Sequence, residues 1–529
     1  MADYSFTNID QNATDGSDFL AGLPAHDEYI NYINRWKFLI NSYLGGAHYK
    51  QGNYLTKYVY ETQPEYIGRL AQTPLDNHVK SITHIYNSFI YRNEPKRDFG
   101  TLDGSAEMEA FLEDCDMEGR TWASFMRDIN LMSTVYGHCV ALIDRPETVV
   151  GTRAEELEQG IRPYATLYTP ENVINWNWKR LPNGHYELEY LQLLEKDDKT
   201  YAGATRYYLR TWTKDEIILE EYNPKSQKTT EVIDTKPNPI GVIPAVWCYA
   251  ARSPIRGIGV SDIGDVADTQ MAIYSELSEI EQLIRLTNHP TLVKTPDVEA
   301  TAGAGSIITI PNETDGALRP YLLQPSGTNL DAILKSIDSK IQAIDRMSHM
   351  GAIRAIETRQ MSGVAMMSEF LLLDAKLCEK AKQLELFEEQ FFRFWAKWQG
   401  QAFDGQIKYP MAFHIRDKNL DMDILAKAAV IQRDLTTATP DVKSVIDQKI
   451  LELLANDEDE LNEMMADKKT AMTHTPVANS DDLIKHLREM IKAGYTDQEI
   501  KDLHPELAQL FGDTNGQVPG QDSSTQQTV

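Results

Sequence analysis

The 529-residue sequence predicts an α+β fold that is mainly α. Apolar residues recur every three to four positions over long stretches in both halves of the chain, a period that indicates amphipathic helices. Between about Cys139 and Ala250 they instead alternate or form short runs, which indicates strands. Hydrophobic residues make up 42% of the chain and charged residues 25%, the balance of an ordinary globular protein.

The N-terminal part is predicted to be helical after a short arm. Residues 1–25 are small and polar, and we expect a flexible arm there. A larger α+β region, 26–260, follows, with helices predicted at Glu28–Tyr43, Pro74–Arg92 and Arg120–Tyr136. The second helix should end near Asn93, because the residue before Pro95 avoids helical backbone angles.

The second half of this region, 139–250, is predicted to be rich in strands. Cys139–Ile143 has the composition of a buried strand, and Tyr186–Leu193 alternates like a strand with one solvated face. Asn183-Gly184 before it is a strong hairpin signal, with Val173–Trp178 as the partner strand. Two further strands are predicted at Tyr207–Trp212 and Glu216–Leu219.

Two helices that flank a small insert are predicted next. The first spans 261–288, with Ser261 as its N-cap and Pro290 beyond its end. The insert, 289–327, contains three short strand patterns, Thr291–Thr295, Ser306–Ile310 and Pro320–Gln324. The second helix spans 328–350, and its apolar residues alternate four and three positions apart, like a coiled-coil seam. These residues are Leu330, Leu334, Ile337, Ile341 and Ile344.

A loop over 351–362 and a very long helix are predicted after this pair. The helix should begin after Ser362 and reach Gly400, and at 1.5 Å per residue it would be roughly 57 Å long. A strand at Ile407–Ile415 is expected to return the chain to the α+β region, so 363–420 forms one segment. Residues 421–512 are interpreted as helices and 513–529 as a polar, disordered tail.

Charge narrows the classes of function. The net charge is −27, from 79 acidic and 52 basic residues, which argues against tight nonspecific nucleic-acid binding because such binding depends on Lys and Arg. The first helix of the pair has one base, Arg285, and six acids: Asp262, Asp265, Asp268, Glu276, Glu279 and Glu281. We consider two interpretations of these acids, an ordinary exposed face and an acidic wall that repels a polyanion.

Three arginines flank or occupy the predicted loop: Arg346, Arg354 and Arg359. Only Glu357 is an acid between them, so the loop is a local positive region in an acidic chain. Such side chains can touch a phosphate backbone without reading its sequence. The alternative is that they pair with acids of a neighbouring helix or subunit.

Motifs of catalysis, cofactors and metal binding are not visible in the sequence. Gly257–Gly264 is interpreted as a turn between strand and helix rather than a dinucleotide loop, because its third glycine is misplaced. The four cysteines, Cys115, Cys139, Cys248 and Cys378, are too scattered for a metal or redox site, so we expect free, buried thiols. No catalytic residue, cofactor or metal is predicted. No apolar run approaches ~18 residues and no secretory signal precedes the arm, so we expect no membrane association.

The order of helix, insert, helix, loop and long helix resembles the portal proteins of tailed bacteriophages. The local sequences that carry the resemblance are Thr73–Ile82, Ile243–Trp247, Gly259–Gly264, Asn288–Val293 and Met350–Gly363. In the terms of that family, 26–260 would be the wing, 261–288 and 328–350 the stem helices, 289–327 the clip and 351–362 the tunnel loop. The helices of 421–512 would be the crown.

The resemblance implies a homo-oligomeric ring of twelve subunits at one capsid vertex of a virion, assembled in the host cytoplasm. Double-stranded DNA would pass through it without sequence specificity, and the major capsid protein, the terminase and a head–tail adaptor would be its protein partners. The clip would dock the terminase and the adaptor, through residues that we expect to include Thr291, Lys294, Glu313, Asp315, Arg319 and Tyr321.

Two other classes remain open from the sequence. Another ring-forming head–tail or tail protein of a phage would use the same helical seams, which must bury their apolar faces against a partner. A hydrolase with paired carboxylates is the second, although no spacing singles out a pair.

Overall fold

A computed structural model describes residues 24–146, 160–199, 204–223, 226, 228–288, 291–293, 321–323, 328–354, 363–410, 413, 490 and 492–493. The chain divides into two units, Met1–His414 and Ile415–Val529, and every element described below belongs to the first. The arm before residue 24, the strand Ser306–Ile310, the loop over 355–362, almost all of 421–512 and the tail are predictions that lie outside the described residues.

Helices and strands both contribute to the first unit, which is a mixed α+β structure, as predicted. The helices are α1 (Asp27–Leu44), α2 (Gly46–Gln51), α3 (Gln63–Gln72), α4 (His78–Ile90), α5 (Ala106–Glu113), α6 (Trp122–Tyr136), α7 (Gly264–Asn288), α8 (Thr328–Met347), α9 (Gly351–Arg354) and α10 (Gly363–Trp398). The strands are β1 (Lys96–Asp98), β2 (His138–Asp144), β3 (Tyr164–Tyr168), β4 (Val173–Arg180), β5 (Tyr186–Lys199), β6 (Ala204–Thr213), β7 (Glu216–Asn223), β8 (Lys228–Pro237), β9 (Ala245–Tyr249), β10 (Ala251–Arg252), β11 (Gly259–Val260), β12 (Thr291–Val293), β13 (Tyr321–Leu323) and β14 (Gln406–Lys408).

The N-terminal helices begin where side chains cap them. α4 starts at His78 rather than at Pro74, because the Asn77 side chain accepts a hydrogen bond from the Lys80 amide at 2.8 Å. Thr62 and Glu65 form a capping box at the start of α3, a helix that the sequence pattern had not indicated.

Two antiparallel sheets form the strand-rich part. β2 lies between β3 and β9 in a three-stranded sheet, and it is buried along nearly its whole length, as its composition predicted. β4 to β8 form a five-stranded meander in which each strand pairs with the next. The predicted hairpin between β4 and β5 is confirmed, and Gly184 at its turn has a φ of +86°, an angle that favours glycine.

The helix pair and the long helix have the predicted order. α7 begins three residues later than expected, because the Ser261 hydroxyl accepts from the Ile263 amide in a turn before the helix. α10 has 36 residues, which corresponds to about 54 Å. β14 pairs with β1 and so returns the chain to the N-terminal part, although this strand is shorter than predicted.

α10 is fixed by an aromatic core and by one buried carboxylate. Phe391 lies 4.5 Å from the ring of Trp122, and Phe392 lies 4.9 Å from that of Phe99. The fully buried Glu388 accepts two hydrogen bonds of 2.8 Å from Arg97, one of 3.3 Å from the Trp122 indole, and one from the Tyr409 hydroxyl. This carboxylate therefore connects α10 to α6, to β1 and to the segment after β14.

Two glycines, Gly137 and Gly259, lie where two backbone segments pass so close to each other that neither has room for a side chain. Gly137 ends α6 with a φ of +94°, and a Cβ atom there would lie 2.7 Å from the carbonyl oxygen of Gly259 in β11. A Cβ atom on Gly259 would likewise collide with the Gly137 carbonyl. β11 is followed by a turn and by α7, so the predicted turn between strand and helix is confirmed, and close packing accounts for its Gly259.

Candidate functional site

The candidate site is the pair formed by α7 and α8. β12 follows α7 directly and pairs antiparallel with β13, which precedes α8, so the end of α7 lies near the start of α8. The two helices therefore run side by side in opposite directions. Ile273 and Ile280 of α7 and Ile337 and Ile344 of α8 are all buried in the same hydrophobic core. The predicted apolar seam of α8 is thus largely used within the chain, whereas Leu334 remains 44% exposed.

Glu276 fixes the register of the two helices. Its carboxylate accepts hydrogen bonds from the Lys340 ammonium at 2.5 Å and from the Ser336 hydroxyl at 2.7 Å. All three side chains are partly shielded from solvent, so the contact is stronger than a fully exposed ion pair. This acid was predicted on an acidic wall, and the structure instead pairs it with the neighbouring helix.

Asp262 lies in a buried ion cluster at the base of the pair. Lys376 and Lys380 of α10 each lie 2.7 Å from its carboxylate, and Lys380 also donates to the Thr134 hydroxyl of α6 at 2.8 Å. The side chains of Asp262 and Lys380 are each only 2% exposed. Burial opposes ionisation of this carboxyl, but the two ammonium groups outweigh burial and hold its pKa below the usual range. Asp262 therefore joins α6, α7 and α10, and its side chain is not part of an exposed acidic face.

Asp268 is also paired, but at the surface. It receives two hydrogen bonds from Arg35 of α1, at 2.5 and 2.9 Å, and Arg35 donates as well to the Gly264 carbonyl at 3.1 Å. The two side chains are 37% and 48% exposed, so solvent screens this pair. Its main effect is to hold the first turn of α7 against α1.

The other three acids that were predicted on the wall differ from Asp262, Asp268 and Glu276 in their pairing. Asp265 and Glu279 are exposed and Glu281 is half-buried, and no ion pair of theirs is seen within the part of the chain that the structure describes. The sequence reasoning missed Asp331 and Asp338 of α8, which are also exposed. Their seven-residue spacing places both on one helix face, a signal that was present in the sequence. α8 also carries the exposed bases Lys335 and Arg346, so its two exposed acids are balanced and the excess of acid on the pair comes from α7.

The residues that lead into the predicted loop, 348–350, are anchored by burial and hydrogen bonds. Ser348 and Met350 are buried, and the Tyr86 hydroxyl of α4 donates a 2.7 Å hydrogen bond to the Ser348 carbonyl. The Met350 amide donates to the Asp345 carbonyl at 2.9 Å and so closes the end of α8. Arg346 is exposed beside this turn. The loop expected from 351 thus begins with a helical turn, α9, which ends at Arg354, and Arg359 lies outside the described residues.

Removing the Tyr86 hydroxyl tests this anchor. We expect Tyr86→Phe to lower the free energy of unfolding by about 1–2 kcal/mol, because a buried carbonyl loses its donor. Hydrogen exchange at Ser348–Arg354 should also become faster. Tyr186→Phe is the matched control, since Tyr186 is 51% exposed, and it should leave both measurements unchanged. Equal exchange rates in the Tyr86 variant and the unsubstituted protein would contradict the anchor.

Two of the six residues predicted to dock partners fall on described strands. Thr291 lies on β12 opposite Leu323, and Tyr321 lies on β13 opposite Val293. Tyr321 is 56% exposed, which makes it available to a partner. The other four, Lys294, Glu313, Asp315 and Arg319, lie outside the described residues.

Metal-binding clusters are absent from the described ranges. These ranges contain no group of three or more His, Cys, Asp or Glu residues that could hold a metal ion. An open cavity of about 360 Å³ is lined by Glu118, Gly119, Arg120, Thr121 and Ser124, and Arg120 is already paired with Asp116 and Asp128. The four cysteines are free thiols, and the prediction that they are buried is confirmed for Cys115, Cys139 and Cys248, whereas Cys378 is only partly buried. None of the helices in the described segments is long and apolar enough to cross a membrane.

Comparison with known proteins adds no relative. No protein-family model matches the chain, and no curated protein sequence matches it.

Proposed function

We propose that this chain is the subunit of a phage portal, a ring at one capsid vertex through which the genome is packaged and ejected. The observation that carries the proposal is the segment from α7 to α10. Two antiparallel helices are joined at one end by an insert that contains a small β pair, and a short turn and a 36-residue helix follow. This order supports the proposal, because the resemblance to portal proteins implies a stem helix, a clip, a second stem helix, a tunnel loop and a long helix in the same order.

Exposed apolar side chains support self-association. Leu371, Leu372 and Leu386 of α10 are 58%, 55% and 43% exposed, and Ile284 of α7 is 42% exposed. Large apolar side chains on the faces of long helices are costly to leave in water and favour burial against a partner. A closed ring of identical subunits would bury such faces on every copy.

The charge of the helix pair suits a channel for DNA. α7 carries three exposed acids, Asp265, Asp268 and Glu279, against one exposed base, Arg285, in a chain whose net charge is −27. Acidic side chains on a channel wall repel a phosphate backbone, so DNA could slide without binding tightly. We propose that the terminase and the head–tail adaptor dock at the insert, near Tyr321, and that the capsid protein surrounds the ring.

Electron microscopy of the purified chain tests the proposal. We expect rings with a central hole wide enough for a DNA duplex, and twelve copies of 60.0 kDa would give a mass of about 720 kDa. A chain that stays monomeric at micromolar concentration would overturn the proposal. Closed rings that never carry DNA in assembled particles would favour the alternative, another ring-forming head–tail protein of a phage.

The loop arginines give a functional test. We expect Arg354→Ala combined with Arg359→Ala to reduce the DNA packaged or retained in virions by about tenfold, because cations that contact the passing backbone would be lost. Rings should form as before. Lys335→Ala is a suitable control, since Lys335 is an exposed cation of α8 that precedes the loop. Normal genome content in virions with the double substitution would contradict a role for these arginines on DNA.

A further inference from the structure

The turn between α2 and α3 exposes its apolar tip. Val59 and Tyr60 are 92% and 97% exposed, which means that almost their entire side chains lie in water. Tyr58 beside them is 41% exposed. Single exposed apolar residues are common, but three in succession at the tip of one turn form a patch that favours contact with another surface.

A buried ion pair holds this turn in one shape. Arg69 of α3 is 3% exposed and donates two 2.7 Å hydrogen bonds to the Glu61 carboxylate, one to each oxygen. It also donates to the Thr56 carbonyl at 2.7 Å, and its guanidinium lies 4.2 Å from the centre of the Tyr58 ring. The two ends of the turn are therefore tied to a single side chain.

Further bonds close the turn and fix it to the helix pair. The Glu61 carboxylate accepts from the Tyr58 amide at 3.1 Å, and the Glu61 amide donates to the Tyr58 carbonyl at 3.1 Å. Arg69 also donates to the Ser278 hydroxyl of α7 at 3.1 Å. A rigid apolar tip loses little conformational entropy when it binds, which is a property of residues that dominate interfaces.

The charge around the tip is opposite to that of the chain as a whole. Residues 46–72 contain three bases, Lys50, Lys57 and Arg69, and two acids, Glu61 and Glu65, so this part of the chain is net positive, whereas the whole chain carries −27. Lys57 is exposed beside the tip, and Glu61, the nearest acid, is neutralised by Arg69. The small positive charge of this turn complements the negative charge that a second copy of the chain supplies.

We infer that the Tyr58–Tyr60 tip docks on a second copy of this chain, whose net charge of −27 is opposite in sign to that of the turn. The inference rests on the proposed ring, because a ring needs two different faces on each copy that fit one another head to tail. The tip is one such face, and its tie to Ser278 couples the contact directly to α7.

Photocrosslinking and dilution together test the docking. A photoreactive benzoylphenylalanine in place of Tyr60, in the full chain, should crosslink to a second copy. Val59→Ser with Tyr60→Ser should raise the concentration at which rings dissociate by about tenfold or more, the size expected for truncating central interface residues. Val232→Ser with Ile233→Ser is the matched control, because these β8 residues are 55% and 48% exposed. It should leave the rings unchanged.

Each outcome decides a separate point. Rings with no crosslink at position 60, and with unchanged dissociation of the Val59/Tyr60 variant, would overturn the docking and leave the proposed function standing. A crosslink only to a different protein would also overturn it. If the unsubstituted chain forms no ring, the proposed function fails, and a crosslinked dimer through position 60 would then support the docking alone. Both substitutions are at exposed sites, so the variants are expected to fold.

Discussion

Replacing Asp262 with asparagine is expected to lower the free energy of unfolding by about 3–5 kcal/mol. The substitution keeps the size of the side chain but removes the negative charge that faces both Lys376 and Lys380. Lys380 would remain 2% exposed beside Thr134 with no carboxylate to compensate its charge. An uncompensated buried charge costs far more than the intact pair contributes, which is why the expected loss is large.

Denaturant unfolding of matched variants measures this loss. Asp268→Asn removes a carboxylate of the same helix region whose partner, Arg35, is partly exposed, and we expect a change below about 1 kcal/mol. A similar small loss in both variants would show that water reaches Lys380 and would contradict the buried cluster.

The same carboxyl predicts a pH dependence. The pKa of Asp262 is lower in the folded chain than its ordinary value of 3.8, so the folded state favours the charged form. Its contribution to stability is complete above the ordinary carboxyl pKa and is lost as the pH falls through the lower pKa of the folded state. The difference in unfolding free energy between the unsubstituted chain and Asp262→Asn should therefore shrink in acid. A difference that grew as the pH fell would contradict this sign.

Replacing Glu388 with glutamine is expected to have an effect of the same size, about 3–5 kcal/mol. Glu388 is fully buried, and its two oxygens face the Arg97 guanidinium, the Trp122 indole and the Tyr409 hydroxyl. Glutamine would place a donor group against these donors and would leave Arg97 without a counter-charge. Burial and then the charge of Glu388 raise the pKa of Tyr409 well above its ordinary value, so this phenol stays protonated and continues to donate.

A neighbouring acid is the control for Glu388. Glu389 pairs with Arg393 one turn later at 3.4 Å, and the Arg393 side chain is 64% exposed. We expect Glu389→Gln to change the unfolding free energy by no more than about 0.5 kcal/mol. The temperature of thermal unfolding should fall for the Glu388 variant alone. Comparable thermal stability of the two variants would contradict the role of Glu388 in fixing α10.

Periodicity predicted the elements better than it predicted their contacts. The spacing of apolar residues located α1, α6, α8 and α10 to within a few residues, because each helix buries one face over many turns. β5 extends to Lys199, six residues beyond the prediction. Its last part is polar, and the strand is continued by pairing with β6, which a local pattern does not reveal.

Charge patterns were the weaker guide to the candidate site. The six acids of 261–286 form one group in the sequence, yet Asp262, Asp268 and Glu276 bind cations from three different helices. Lys380 is more than a hundred residues from Asp262 along the chain, so no spacing rule could pair them. The number of acids along one helix sets an upper limit on how acidic its surface can be. The tertiary structure decides how many of those acids are left unpaired and exposed to solvent.

The crossing of Gly137 and Gly259 limits how this sequence can diverge. Neither position has room for a side chain, because each backbone occupies the space that the other would need. A change at one position cannot be compensated by a change at the other, since glycine is already the smallest residue. Distant relatives that retain the junction of α6, β11 and α7 should therefore keep both glycines while the surrounding residues drift. This pair, 122 positions apart, offers a marker for recognising such relatives after general similarity has faded.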